Sequence, residues 1–228
     1  MEERAAAPSL AETLELADWR RQVADLYADV RALLLADRDA ALELWRATRE
    51  GLYREHPQSP VPPADRAGFW ARHYSDDPSL RFEVAVEPDE PEDDRAAPGT
   101  LGLTGPLALD LPMSVGGTMA MRRIGRVEIP FPAGSRRLGV FWMSGYAGGL
   151  FIPFRDATNG AETYGAGRYL IDSAKSADLG GDPARGTVVL DFNFAFHPSC
   201  AFDPKWACPL APPENRLDIE IRAGERLA

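Results

Sequence analysis

The sequence predicts an α+β protein in which N-terminal helices pack on a C-terminal antiparallel β-barrel or sandwich-like domain. Three observations carry that prediction. Residues 1–60 contain apolar stripes of helical period, residues from 101 onward contain short apolar or alternating runs separated by Gly and Pro, and residues 187–197 alternate as a strand does. Helices first and strands afterwards, rather than the two in alternation, give the α+β arrangement. The reading divides the chain into a helical segment, 1–60, and an antiparallel β-domain, 61–228, with an acidic loop at 87–98.

The elements follow in order. Ser9-Leu-Ala-Glu12 is a capping-box pattern, and Trp19, Val23, Leu26, Val30 and Leu33 recur at four-three spacing behind it, so one face of a first helix seeks a partner. A second helix from about 39 to 55 presents Leu42, Trp45, Arg49 and Leu52 on one face and ends before Pro57. Pro60, Pro62 and Pro63 make a stiff connector. Residues 81–86 alternate as a first strand, and the proline-broken acidic run from Glu87 to Asp94 reads as a solvated loop. Further strands are expected at 121–129, 138–143, 150–154 and 217–221.

Residues 154–170 combine turn chemistry with polar side chains. Asn159-Gly160 is a strong hairpin signal, because a type I′ turn needs positive φ at both central residues. With those two in the loop, Arg155 faces Tyr164, and Arg155, Glu162, Tyr164 and Arg168 share one sheet face. Two guanidinium groups suit a carboxylate or phosphate, and Gly165 and Gly167 suggest a bulge or a close backbone approach. The plainer explanation is a cross-strand salt-bridge ladder on a solvated face.

In 187–197, Val188, Leu190, Phe192, Phe194 and Phe196 form one stripe, with Asp191, Asn193 and His197 on the other face. At ~3.3 Å per residue, Asp191 and Asn193 lie roughly 7 Å apart and Asp191 and His197 about 20 Å apart. Asp191 and Asn193 therefore form the better pair. The candidate assignments are Glu162 and Asp191 as catalytic bases, and Arg155, Tyr164, Arg168 and Asn193 as ligand-binding groups.

Cys200 and Cys208 are the two cysteines. They read as buried free thiols, with a disulfide worth ~2–3 kcal/mol as one alternative and a His197, Cys200, Cys208 metal site as another. That His-x2-Cys-x7-Cys spacing matches no standard zinc pattern, so no metal is expected.

A resemblance now enters. The run from Phe151 to Leu170, then Leu190-Asp-Phe-Asn193, Pro198-Ser-Cys-Ala-Phe202 and Cys208-Pro-Leu-Ala-Pro-Pro-Glu-Asn-Arg-Leu217 resemble the C-terminal signature of the bacterial and archaeal domain-of-unknown-function family 1684. His56-Pro-Gln-Ser-Pro60 and Asp77-Pro-Ser-Leu-Arg-Phe82 fit the same pattern, and the likeness spans most of 42–225. It implies a shared fold and brings no reaction with it. Members more often read Asn-Pro where this chain has His197-Pro198, which argues against a ligand or catalytic role for His197.

Composition bounds the rest. The chain has 228 residues and a formal charge of −10, with 22 acids against 12 Lys or Arg in residues 1–98 and 13 of each afterwards. That balance disfavours nucleic acid as a partner. Arg122, Arg123, Arg126, Arg136 and Arg137 could still form one basic patch. No apolar run approaches the ~20 residues of a spanning helix, and no export signal is seen, so no membrane partner and a cytoplasmic location are expected. The function expected is a small-molecule-binding β-domain, with catalysis open, whose pocket takes an anionic carboxylate or phosphate ligand. The cofactor is unknown, with a flavin left open, and so is the oligomeric state. The alternative is a non-catalytic structural or interaction protein that uses its N-terminal helices.

Overall fold

The computed structural model describes residues 9–89, 108–145 and 148–227; most of the expected acidic loop, 90–98, lies outside them. Two helices precede a curled antiparallel sheet that forms a half-barrel.

Helix α1 spans Leu10–Leu33 and α2 spans Arg38–Glu55. The capping box at Ser9 forms in both directions: the Glu12 amide donates to Ser9 Oγ at 3.2 Å and the Ser9 amide donates to Glu12 Oε2 at 2.7 Å. Asp37 caps α2 through the Ala40 amide at 3.0 Å. Val23, Leu26 and Val30 of the first stripe are buried, as are Leu42, Trp45, Arg49 and Leu52 of the second. Among the described residues no helix is long and apolar enough to cross a membrane.

The strands are β1 Arg72–His73, β2 Arg81–Pro88, β3 Ala108–Pro112, β4 Thr118–Phe131, β5 Gly134–Met143, β6 Gly149–Phe154, β7 Arg168–Asp172, β8 Gly181–Asp182, β9 Thr187–Asp191 and β10 Glu225–Arg226. The main sheet runs β7-β6-β5-β4-β2-β9-β8, with β3 also on β4, and every named pairing is antiparallel. A separate two-stranded pair joins β1 to β10. After β9 the chain turns and bridges Phe196 to Tyr169 of β7, which ties the far end of the curl to its other end. Alternate residues feed two cores. Phe141 and Phe151 pack with the helices, whereas Val140 and Ile152 pack with Leu217, Ile221 and Ala223 of the C-terminal segment.

Three expectations are corrected. Residues 155–167 form an irregular loop instead of a two-residue hairpin. Arg168 pairs with Phe154 rather than with Phe151, the residue the hairpin register sets opposite it, and Arg155 bridges to Arg216. Asn159 has no positive φ, so a type I′ turn is excluded. Its side chain bonds locally instead, donating to the Tyr164 carbonyl at 2.8 Å and to Thr163 Oγ1 at 2.9 Å. The expected strand at 187–197 stops at Asp191, whose carboxylate accepts the Asn193 amide at 3.0 Å and starts a tight turn over Phe192–Phe194. No strand forms at 217–221: the Leu217 amide and the Ile219 carbonyl bond to the 155–157 loop, and the Ile221 amide donates to Asp156 Oδ2 at 2.7 Å. Gly167 is the close approach that its strand position suggested. Its φ is +104°, and a Cβ there would lie 2.4 Å from the Phe154 carbonyl oxygen.

Candidate functional site: an aromatic cleft beside the C-terminal strand

The residues singled out from sequence do not gather at one ligand position. Arg168 is fully buried. Its guanidinium donates to the carbonyls of Ala223, Glu225 and Ile221 and to Asp156 Oδ2 at 3.5 Å, and it lies over the Phe154 ring. Those partners are all protein groups, so Arg168 clamps the C-terminal segment. Asp191 pairs with Arg38 and, at 3.7 Å, with Arg81. Asn193 holds the chain at Asp77, accepting its amide at 2.9 Å and donating to its carbonyl at 2.8 Å. Both side chains therefore fasten the approach to β2.

Glu162 pairs with Arg222 at 2.8 Å and accepts from the Tyr74 hydroxyl at 3.0 Å. Arg222 first, then Tyr74, hold its carboxyl below the ordinary carboxylate range, which weakens it as a base. Arg155 reaches back to the Ala166 carbonyl at 3.4 Å. Tyr164 stands apart beside Cys200, and burial raises its phenol to about 12. The arginines considered for a basic patch are largely paired: Arg123 and Arg126 with Asp89 and Glu214, Arg136 with Asp218, and Arg137 with Glu128.

A ligand-sized aromatic cleft lies elsewhere. It has a volume of about 370 Å³ and is lined by Tyr53, Phe69, Trp70, Phe202, His197 and Glu225, with Arg72, Arg226 and Asp65 also at its wall. Helix α2 supplies Tyr53 near its end, the segment after the proline connector supplies Phe69 to Arg72, and β10 supplies Glu225 and Arg226. Phe69, Tyr53 and Phe202 form a mutually edge-on aromatic cluster, with centroids 5.0–5.7 Å apart. Trp70 remains 68% exposed beside them, with the Arg54 guanidinium over its ring. A large aromatic left to water at a cleft rim marks a contact surface. The β1–β10 register sets Arg72 directly opposite Arg226. Among the described residues neither has a carboxylate at salt-bridge distance, and the Glu162 carboxylate acts on Arg226 only from farther away. Directly opposed like charges on a ribbon are unfavourable unless something anionic lies between or above them.

The floor of the cleft is a buried ion pair. Arg49 donates through Nε to Glu225 Oε1 at 2.9 Å and through Nη2 to the same oxygen at 2.7 Å. Its guanidinium carbon lies 4.7 Å from the Phe196 ring centre and 5.0 Å from those of Trp45 and Tyr53. Burial alone would raise the Glu225 carboxyl, but the Arg49 guanidinium and the His197 amide bring it below its ordinary value, so it is ionised. Its other oxygen accepts the His197 amide at 2.7 Å. Gly224, at φ +75°, lets the chain press against the Ala195 carbonyl just before Glu225.

Burial lowers His197 to about 4, so it is neutral. Its Nε2 accepts the Tyr164 amide at 3.2 Å, which assigns the ring proton to Nδ1, 3.8 Å from Glu225 Oε2. The lone pair that a general base would use is therefore occupied, and His197 turns toward Glu225 rather than toward the thiols. Cys200 and Cys208 are both buried free thiols. Among the described residues no group of three or more His, Cys, Asp or Glu side chains is placed to hold a metal ion.

Sequence reasoning missed the cleft. Phe69-Trp70 between Arg66 and Arg72 was the available signal: adjacent aromatics flanked by arginines in a segment with neither helical nor strand period.

A family model described as "Protein of unknown function (DUF1684)" matches residues 71–226, more than half of the chain. No curated protein matches. The solution NMR structure of an uncharacterised protein from Haloarcula marismortui is similar, with 29% identity and a TM-score of 0.56, covering 84% of this chain and 95% of that one.

Proposed function

Because the chain belongs to the DUF1684 family, which supplies a fold and no reaction, we propose from the site itself that this protein binds a small anionic molecule with an aromatic or apolar body. The ligand's body lies on Trp70, Phe69 and Phe202, and its carboxylate or phosphate meets Arg72 and Arg226. The directly opposed Arg72 and Arg226, neither in a salt bridge, beside the exposed Trp70 carry this reading. They take over the anion role first considered for Arg155 and Arg168. The two free thiols suit a reducing compartment such as the cytoplasm.

The reading is one of binding rather than turnover. Glu162 and Asp191 are tied to arginines, and His197 has its acceptor nitrogen engaged. The test uses 1-naphthoate, 1-naphthyl phosphate and neutral 1-naphthol as probes, followed by thermal shift and by quenching of tryptophan fluorescence. Stabilisation by the two anions but not by naphthol, lost in Arg72→Ala/Arg226→Ala, supports the proposal. Equal response to all three, or an unchanged response in the double variant, overturns the anion assignment.

A second reading, interaction through the N-terminal helices, rests on Leu10 and Leu14, which are 75% and 59% exposed one turn apart on α1. Pull-down with Leu10→Ser/Leu14→Ser against the wild type tests it.

A further inference from the structure

Cys200 and Cys208 stand at the two ends of one short loop beside the cleft, each held by contacts of its own. Cys208 is fixed against the end of β3: its amide donates to Ser114 Oγ at 2.9 Å, its carbonyl accepts the Ser114 amide at 2.9 Å, and Ser114 Oγ donates to the Trp206 carbonyl at 2.7 Å. Cys200 sits in the short turn Ser199–Ala201, and its amide donates to Cys208 Sγ at 3.4 Å. That bond sets the Cys208 sulfur against the Cys200 turn, so the two thiols share one buried site. A thiol surrounded by hydrogen-bond donors is disposed to ionise. The neighbouring Cys208 thiol, acting against burial, holds Cys200 below its ordinary range. Contact with Cys200 and burial push Cys208 the other way.

We propose that Cys200 and Cys208 are a peroxide-reactive pair that closes to an intramolecular disulfide. In the first step the Cys200 thiolate attacks one oxygen of hydrogen peroxide. An S–O bond forms, the O–O bond breaks, and the departing hydroxide takes up a proton as water. In the second, the Cys208 sulfur attacks the Cys200 sulfenic acid as its own proton leaves. The S–S bond forms, the S–O bond breaks, and a second water departs. Two thiols are oxidised and one peroxide is reduced to two waters. Cys200 is 5% and Cys208 4% exposed, which selects a small oxidant over bulky ones such as oxidised glutathione. The loop that the bond closes carries Ala201 and Phe202 of the cleft wall, so oxidation state and cleft shape are linked.

Intact mass and thiol counting under denaturing, non-reducing conditions test this on the whole chain after treatment with hydrogen peroxide or oxidised glutathione. Peroxide is expected to remove the mass of two hydrogens and both countable thiols from the monomer, reversibly with dithiothreitol. Glutathione is expected to add nothing. In Cys208→Ser, dimedone should then label Cys200, and in Cys200→Ser it should label nothing. Melting of both variants without oxidant shows that they fold. Survival of both thiols in peroxide, direct passage of either sulfur to sulfinic acid, a mixed glutathione disulfide, or dimedone labelling of Cys208 in Cys200→Ser would each overturn the proposal.

Discussion

Two buried arginines hold the same C-terminal segment by different chemistry. Arg49 sits among the rings of Trp45, Tyr53 and Phe196 and meets a full carboxylate, Glu225. Arg168 instead spreads its charge over the carbonyls of Ile221, Ala223 and Glu225, with Asp156 at the edge and its Nε without a partner. One is an ion pair at the floor of a cleft; the other is a set of dipoles inside a packed segment. A buried cation can thus be compensated by a charge or by oriented backbone, and the carboxylate-compensated one is the arginine next to a ligand-sized space.

The comparison predicts its sharpest break at Glu225. Glu225→Ala leaves the Arg49 charge buried and unpaired and is expected to cost about 3–5 kcal/mol, read from urea denaturation. Replacing both partners, Arg49→Met with Glu225→Leu, should recover most of that loss. If the double variant is no more stable than Glu225→Ala, the pair is not what holds the two elements together.

Acid should act next. His197 and His73 are lowered by burial to about 4 from 6.5, so between those values the unfolded chain binds protons that the folded chain does not. Stability is therefore present above pH 6.5 and is lost as pH falls toward 4, by up to about 3 kcal/mol for each histidine. Glu225, lowered in the fold, acts in the same direction at the acid end. His197→Gln should flatten the pH dependence of unfolding over that window; an unchanged slope would mean that His197 is not buried neutral.

At Arg168 the expected change is smaller. Arg168→Lys keeps the charge but cannot fork across three carbonyls, for a cost of about 1–3 kcal/mol and faster hydrogen exchange at 221–225. The smallest effect falls at the cleft mouth. Arg72→Ala relieves its opposition to Arg226, so stability should stay level or rise by about 0.2–1 kcal/mol while anion-dependent stabilisation disappears. Melting curves with and without 1-naphthoate separate the two quantities.

Much of the fold was legible because local rules and tertiary packing agree there. The Ser9 capping box, the stripe from Leu42 to Leu52 and the start of β2 at Arg81 all appear where the pattern sets them. The cleft was not legible, because its parts come from three distant segments and Phe69–Arg72 has no period to read. Asn159 misled for a physical reason. An asparagine tolerates positive φ but also caps loops with its side chain, and here Asp156, Thr163 and Tyr164 offer better partners. Arg49 was the overlooked clue. A charge inside an otherwise apolar stripe demands a buried counterion, whereas arginines on an already polar strand demand nothing.

The Arg49–Glu225 bond also imposes a timetable. Its partners are 176 residues apart in the chain. At a synthesis rate of about 5–20 residues per second, Glu225 follows Arg49 off the ribosome by roughly 10–35 s. During that interval the Arg49 guanidinium lacks its carboxylate, and the unpaired charge is expected to disfavour full docking of α2 on unfinished strands until the tail arrives.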